Sequence, residues 1–212
     1  MIFHQAFYGE VNRGHACISQ SLVNNELTSF LISFTDRPAA LPPGITLQPY
    51  YSGSAWSNYY IFTKTFSDPF ATRAGMVFTH ALITKLDNVT FIDNLSEIFS
   101  NFVDCVPEIR SELIDIDCNI SQSSSKTFNK FQPKYIKESI SKLLNNKLPI
   151  LFSGDNKLFE NVIQQIWNTP NLELRKKIKY RASFTPSDIE DVKDLTIVSI
   201  QKELISKWSE NL

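Results

Sequence analysis

Three histidines, His4, His15 and His80, fall in the first hundred residues, each in or beside a stretch with the composition of a strand. Histidine titrates near neutral pH and ligates metals, so three of them on neighbouring strands could build an acid–base or metal site. His15 follows Gly14 in a polar loop and His80 adjoins Thr79, which suits both to hydrogen bonding in a pocket. Together with Gln5, Tyr8, Arg73 and Thr79 they would supply a base, hydrogen-bond donors and an anion-stabilising cation, the equipment of a hydrolase-like enzyme. Such a pocket requires the His15 and His80 imidazoles within about 4–8 Å of one another in one cleft. A structural reading competes with it. Gly9, Gly14 and Gly75 then serve to turn the backbone, and the histidines satisfy buried carbonyls between strands.

Sharper motifs are missing: the sequence has no H-E-x-x-H, no G-x-S-x-G and no G-x-x-x-x-G-K-[ST]. FSGDNK has a single glycine ahead of a helix start, and Asp155 within it reads as a helix cap rather than part of a phosphate cradle. Cys17 lies two residues from His15, hence on the same strand face, but a free cysteine more commonly behaves as a small buried hydrophobe. No catalytic residue is assigned on these grounds, and no metal or cofactor is expected. Lys177, Lys179 and Arg181 alternate along a predicted strand, where they form either an anion- or partner-binding face or the solvated face of an edge strand.

The 212 residues are 42% hydrophobic and 20% charged, enough apolar surface for a core without disulfide staples. A formal charge of −1 removes the bulk electrostatic case for direct nucleic-acid binding. The first hundred residues carry 5 basic and 7 acidic side chains against 16 and 15 in the rest, so the first half reads as core or interface. Three cysteines without a C-x-x-C pair indicate neither a disulfide framework nor a zinc ribbon. The opening MIFHQAFYGE has no basic leader, and no stretch approaches the roughly 20 apolar residues of a membrane span. A reduced, cytoplasmic protein is expected, with the sequons at Asn88 and Asn119 as chance matches.

Elements follow from periodicity. IFHQAFYG and HACIS read as two strands joined by a loop, and Leu22 to Phe34 as a helix that RPAALPPG stops near Phe34 to Asp36. ITLQPYYSG, YYIFTKTF and VFTHALI read as strands, the last two antiparallel across a turn-rich connector. Phe91, Leu95, Ile98, Phe99 and Phe102 predict a helix after Asp93-Asn94. Residues 117–132 read as a polar linker, and Tyr135 to Leu144 as a helix. LPILFSGD, the apolar stripe Leu158 to Trp167 and KIKYRASF form a strand–helix–strand series, the sign of a parallel crossover. DLTIVSIQKELISKW adds a strand and a closing helix. The expected class is α+β: a mixed sheet with antiparallel N-terminal strands, a C-terminal βαβ unit and flanking helices. It forms one domain over 1–212, with a subdivision, if there is one, near 117–132.

Several of these strings together resemble the N-terminal domain of GTPase-associated protein 1, from bacterial conflict systems. Gln5-Ala6-Phe7-Tyr8-Gly9 followed by Gly14-His15 is similar to a Q-x-x-[YF]-G…G-H start. Tyr59-Tyr60, Asp68-Pro69 and then Arg73-Ala74-Gly75-Met76-Val77-Phe78-Thr79-His80-Ala81-Leu82 resemble an R-x-G-x-V-[WF]-[ST]-H-x-L block. The Trp167 helix and the strand ending Ala182-Ser183-Phe184 are weaker echoes, so that the resemblance runs through most of the chain. It implies an adaptor or sensor in a GTPase-centred defence system, with the GTPase or another component of that system as partner. Family members continue into further regions, so a chain ending at Leu212 reads as an excised domain or a reduced version. Lysines in KKIKYR stand where the family would have arginines.

Overall fold

The structure is a computed structural model and describes residues 1–108, 112–118, 120, 138, 141, 145, 150–168, 170–189 and 197–208. Most of the 117–132 stretch and the Tyr135–Leu144 helix expected from sequence lie outside the described residues.

β1 (Ile2–Val11) and β2 (Gly14–Gln20) form a hairpin. Its two-residue turn places Asn12 and Arg13 at φ 50° and 65°, the backbone twist that lets right-handed strands close tightly. α1 (Asn25–Thr35) starts where the Asn24 side chain accepts the Leu27 N–H at 3.0 Å and stops where expected, while Leu22 lies ahead of it. β3 (Tyr50–Trp56) begins only after Pro49, which has no N–H to give a ladder. β4 (Tyr59–Ser67) and β5 (Val77–Lys85) pair antiparallel along their whole lengths.

α2 (Leu95–Phe99) is shorter than the helix predicted from Phe91 to Phe102. The residues before it are held elsewhere: Ile92 O accepts from Trp167 Nε1 and Asp93 O from Gln164 Nε2. Ile92 is accordingly extended (φ −90°, ψ 101°) rather than helical, and Phe91 ends a separate 3₁₀ turn (Leu86–Phe91). β6 (Ile116–Asp117) adds to β1 beyond the end of β2.

β7 (Ile150–Ser153), α3 (Asn156–Trp167), β8 (Tyr180–Ser183) and β9 (Ile197–Ile200) follow. β7 and β8 are each parallel to β9, which lies between them, so the βαβ strands are parallel but not adjacent. The expected KIKYRASF strand shrinks to four residues because Leu172–Lys177 coils into a 3₁₀ turn, with Ile178 N–H reaching Leu174 O at 3.1 Å. The closing helix is likewise a 3₁₀ segment, Lys202–Trp208.

The strand order is β2-β1-β5-β4-β3-β8-β9-β7, a mixed sheet with helical segments against it, and the fold is α+β. α1 covers one face through Leu27 and Leu31, packed on Ala6, Tyr8, Ile61, Ala81 and Ile83. The other face carries the largest core, where Phe3, Phe62 and Leu82 meet Leu95, Ile98, Val162, Ile166 and Trp167.

The antiparallel and parallel parts of the sheet meet at one ladder pair, Gly53 on β3 with Tyr180 on β8. A Cβ at Gly53 would fall inside the buried Tyr180 ring. Gly53→Ala is expected to cost about 1–3 kcal/mol, since the ring must leave its place at the seam. Urea unfolding midpoints test this against Gly14→Ala, where an added Cβ meets only Val11 O at 3.7 Å.

Candidate functional site

The sheet divides the residues that sequence placed in one pocket. Tyr8 pairs with Thr79 across β1 and β5, and Tyr8 with Cys17 across β1 and β2, which sets Tyr8, His15, Cys17 and Thr79 on the face under α1. Gln5 and His80 occupy the opposite face. The imidazoles of His15 and His80 therefore lie on opposite sides of the sheet and share no hydrogen-bond partner. The single cleft holding both is corrected: each set is a local network.

On the first face, Thr35 Oγ1 donates to Leu31 O at 2.6 Å and so accepts from His15 Nε2 at 2.9 Å. His15 Nδ1 then carries the lone pair. It is buried without a hydrogen bond, 3.9 Å from the Asp36 carboxylate, and the His15 side chain is only 4% exposed. Burial lowers its basicity, with Asp36 opposing. Thr79 Oγ1 donates to Thr35 O at 2.8 Å and accepts from Thr65 Oγ1, so β4, β5 and the end of α1 are tied together. Burial raises both the Tyr8 hydroxyl and the Cys17 thiol above their ordinary values. A thiol held protonated is a poor nucleophile, and this Cys–His pair is not primed for attack.

On the second face, the Val103 N–H donates to His80 Nδ1 at 3.2 Å, which fixes the proton on Nε2, and Nε2 donates to Gln5 Oε1 at 3.0 Å. Gln5 Nε2 in turn donates to Ile114 O at 2.6 Å. The relay ties the strands to the segment that follows α2. Rings of Phe7 and Phe102 stand edge-on to the imidazole at 4.9 and 5.3 Å. Burial first, and the Lys64 ammonium second, push His80 down to about 3. An imidazole that stays neutral to that pH, with both nitrogens bonded, is a structural link rather than a general base at neutral pH. Sequence reasoning passed over Lys64, which is buried beneath the Tyr51 ring and paired with Asp104. Sequence carried no signal for it, since its position directly across from His80 is set by the β4–β5 register.

His4 belongs to a third environment, with Nδ1 2.9 Å from Asp115 Oδ1. Among the described residues no group of three His, Cys, Asp or Glu side chains is placed to hold a metal. Arg73 sits at the rim, exposed, where Glu10 accepts from the backbone N–H groups of Thr72 and Arg73 and pins the β4–β5 connector to the end of the β1–β2 hairpin. In that connector Gly75 takes φ +78°, with the Arg37 guanidinium 2.7 Å from where a Cβ would stand. Lys177 lies in a 3₁₀ turn, Lys179 precedes β8, and only Arg181 of the three is on the strand. β8 is an interior strand between β3 and β9, and Ser183 on the expected solvent face is buried.

Fold and site thus define an α+β domain whose motif side chains are engaged in holding strands, α1 and the segment after α2 together. Residues 2–102 match the family model of GTPase-associated protein 1, N-terminal domain type 1. The match spans a little under half of the chain, taking in both motif blocks but neither Trp167 nor β8, so it is narrower than the resemblance read from sequence. No curated protein and no solved structure matches the chain. Among the described residues no helix is long and apolar enough to cross a membrane.

Proposed function

We propose that this chain is an adaptor or sensor of a bacterial GTPase-centred conflict system, engaged in anti-phage defence and acting in the cytoplasm by contact with an associated GTPase. The observation that carries the reading is the match of residues 2–102 to a GTPase-associated domain. The site chemistry favours binding over catalysis: His80 has both nitrogens committed, and Cys17 and Tyr8 are held in their protonated forms by burial. The 212 residues act as one unit in this reading, supported by a sheet that draws strands from both sides of residue 120. The contact surface is the rim where the β1–β2 turn meets the β4–β5 connector. There Phe70 is 69% exposed beside Arg73, an apolar and a cationic anchor of the kinds enriched in interface hot spots.

The test is capture of the tagged chain from its native host under mild conditions, followed by reconstitution with the recovered GTPase. Phe70→Ala/Arg73→Glu is expected to weaken the reconstituted complex by about tenfold or more while leaving the unfolding midpoint unchanged. Neither side chain is in the core, and the one bond lost, Arg73 Nη1 to Arg13 O at 3.4 Å, is on the exposed rim, so loss of binding at an unchanged midpoint can be read directly. Capture that yields no GTPase, or a complex indifferent to the double substitution, overturns the proposal or its surface.

A further inference from the structure

β7 and β9 run parallel and finish together, with Ser153 paired to Ile200 and the Gly154 N–H reaching Ile200 O at 3.5 Å. Past their carboxyl ends β7 enters α3 and β9 enters the 3₁₀ segment Lys202–Trp208. A cleft of about 570 Å³ opens between these exits, in the place where open sheets with parallel strands hold ligands and within the size range of small-molecule sites.

Gln201 gives the cleft its direction. It lines the cleft, is only 8% exposed, and its side-chain amide makes no hydrogen bond with the described residues. Its amide opens on the cleft, with donors and acceptor available to whatever enters. Around it stand Lys157 and Lys202 together with Glu160 and Glu203. Asp155 caps the Leu158 N–H, which leaves the Asn156 and Lys157 N–H groups at the positive end of α3. Both signs of charge are present, which disfavours a polyanion. Among the described residues no aromatic side chain lines the cleft to offer a nucleobase a stacking platform. Burial raises the Glu160 carboxyl, with Lys64 and Lys157 opposing, so an ammonium brought beside it would favour its charged form.

We propose that this cleft binds a short zwitterionic peptide, its carboxylate at the start of α3 between Lys157 and Lys202, its ammonium at Glu160 and Glu203, and its amide on Gln201. The proposal goes beyond the GTPase reading, because the charged groups and Gln201 all lie outside the matched segment.

The test is an NMR titration of the ¹⁵N-labelled full chain with trialanine, alongside N-acetyl-trialanine amide and inorganic phosphate. Trialanine is expected to give saturable shifts at residues 154–160 and 200–203 below about 10 mM, with the capped peptide and phosphate at least about tenfold weaker. Gln201→Leu should weaken trialanine by about tenfold while keeping the unfolding midpoint, since the amide bonds to no described residue and similar volume is retained. Glu160→Gln is the second probe, expected to reduce affinity for trialanine and leave the capped peptide unaffected. Absence of saturable shifts, phosphate binding as well as trialanine, or affinity unchanged in both variants overturns the proposal.

Discussion

Acidification from pH 7 to pH 3 is expected to remove roughly 4–5 kcal/mol of stability through His80 alone. His80 is buried at 1% exposure, and its folded pKa of about 3 lies below the ordinary 6.5. Between those values the unfolded chain binds a proton that the folded chain refuses, so stability rises with pH across that window. The contribution is fully present above about 6.5 and is lost as pH falls toward 3. The physical cause is that a protonated ring would put a charge among Phe7, Phe102 and the Lys64 ammonium, and would end acceptance of the Val103 N–H. His15, also lowered by burial, adds in the same direction, with Asp36 opposing. Urea midpoints at several pH values, compared between wild type and the non-titrating His80→Gln, isolate the His80 share. The variant should show a shallower decline between pH 6.5 and 3. Equal slopes would mean that His80 is solvated and open to chemistry.

Trp167→Ala is expected to cost about 3–5 kcal/mol. The indole is fully buried, donates from Nε1 to Ile92 O at 2.6 Å, and meets the Tyr60 and Phe62 rings at 5.5 and 5.8 Å. Arg175 closes the cluster, giving Nε to Trp167 O, one terminal nitrogen to Thr90 O and the other to Asp93, at 2.9–3.0 Å. Alanine leaves a cavity and an orphaned carbonyl together. Trp167→Phe keeps most of the packing and should lose only about 1–3 kcal/mol, the share of Ile92 O left unpaired. The cluster joins the matched segment, residues 2–102, to α3 and the 3₁₀ turn after it, so one cooperative transition is expected, moved as a whole. If Trp167→Ala loosens only residues beyond 150 and leaves NMR signals of 2–102 unchanged, the halves are energetically separate.

Much of the fold was legible because its signals are local. Asn94 and Asp155 cap the helices they precede, and the RPAALPPG prolines stop α1, whereas the Asn24 cap and the break at Pro49 were passed over in favour of a helix from Leu22 and a strand through ITLQPYYSG. The shortened α2 was not legible, because its limits depend on Trp167 and Gln164 taking two carbonyls from about 70 residues away. Part of the pocket could have been rejected on sequence alone. Thr79 and His80 are neighbours on a strand, and Gln5 and Tyr8 are three apart, so each pair must face opposite ways.

The amino-acid sequence by itself determined most of the strands, the α+β class and, through the Gln5–Gly9 and Arg73–Leu82 blocks, the resemblance that the match of residues 2–102 bears out. Only the tertiary structure decided that His15 and His80 belong to separate networks, that β9 lies between β7 and β8, and that Gln201 ends beside the start of α3. The reason is physical. Alternation within a strand is set by backbone geometry, whereas the register between strands, including the irregularity between Phe7 and Tyr8 against β2, is chosen by packing across the whole sheet.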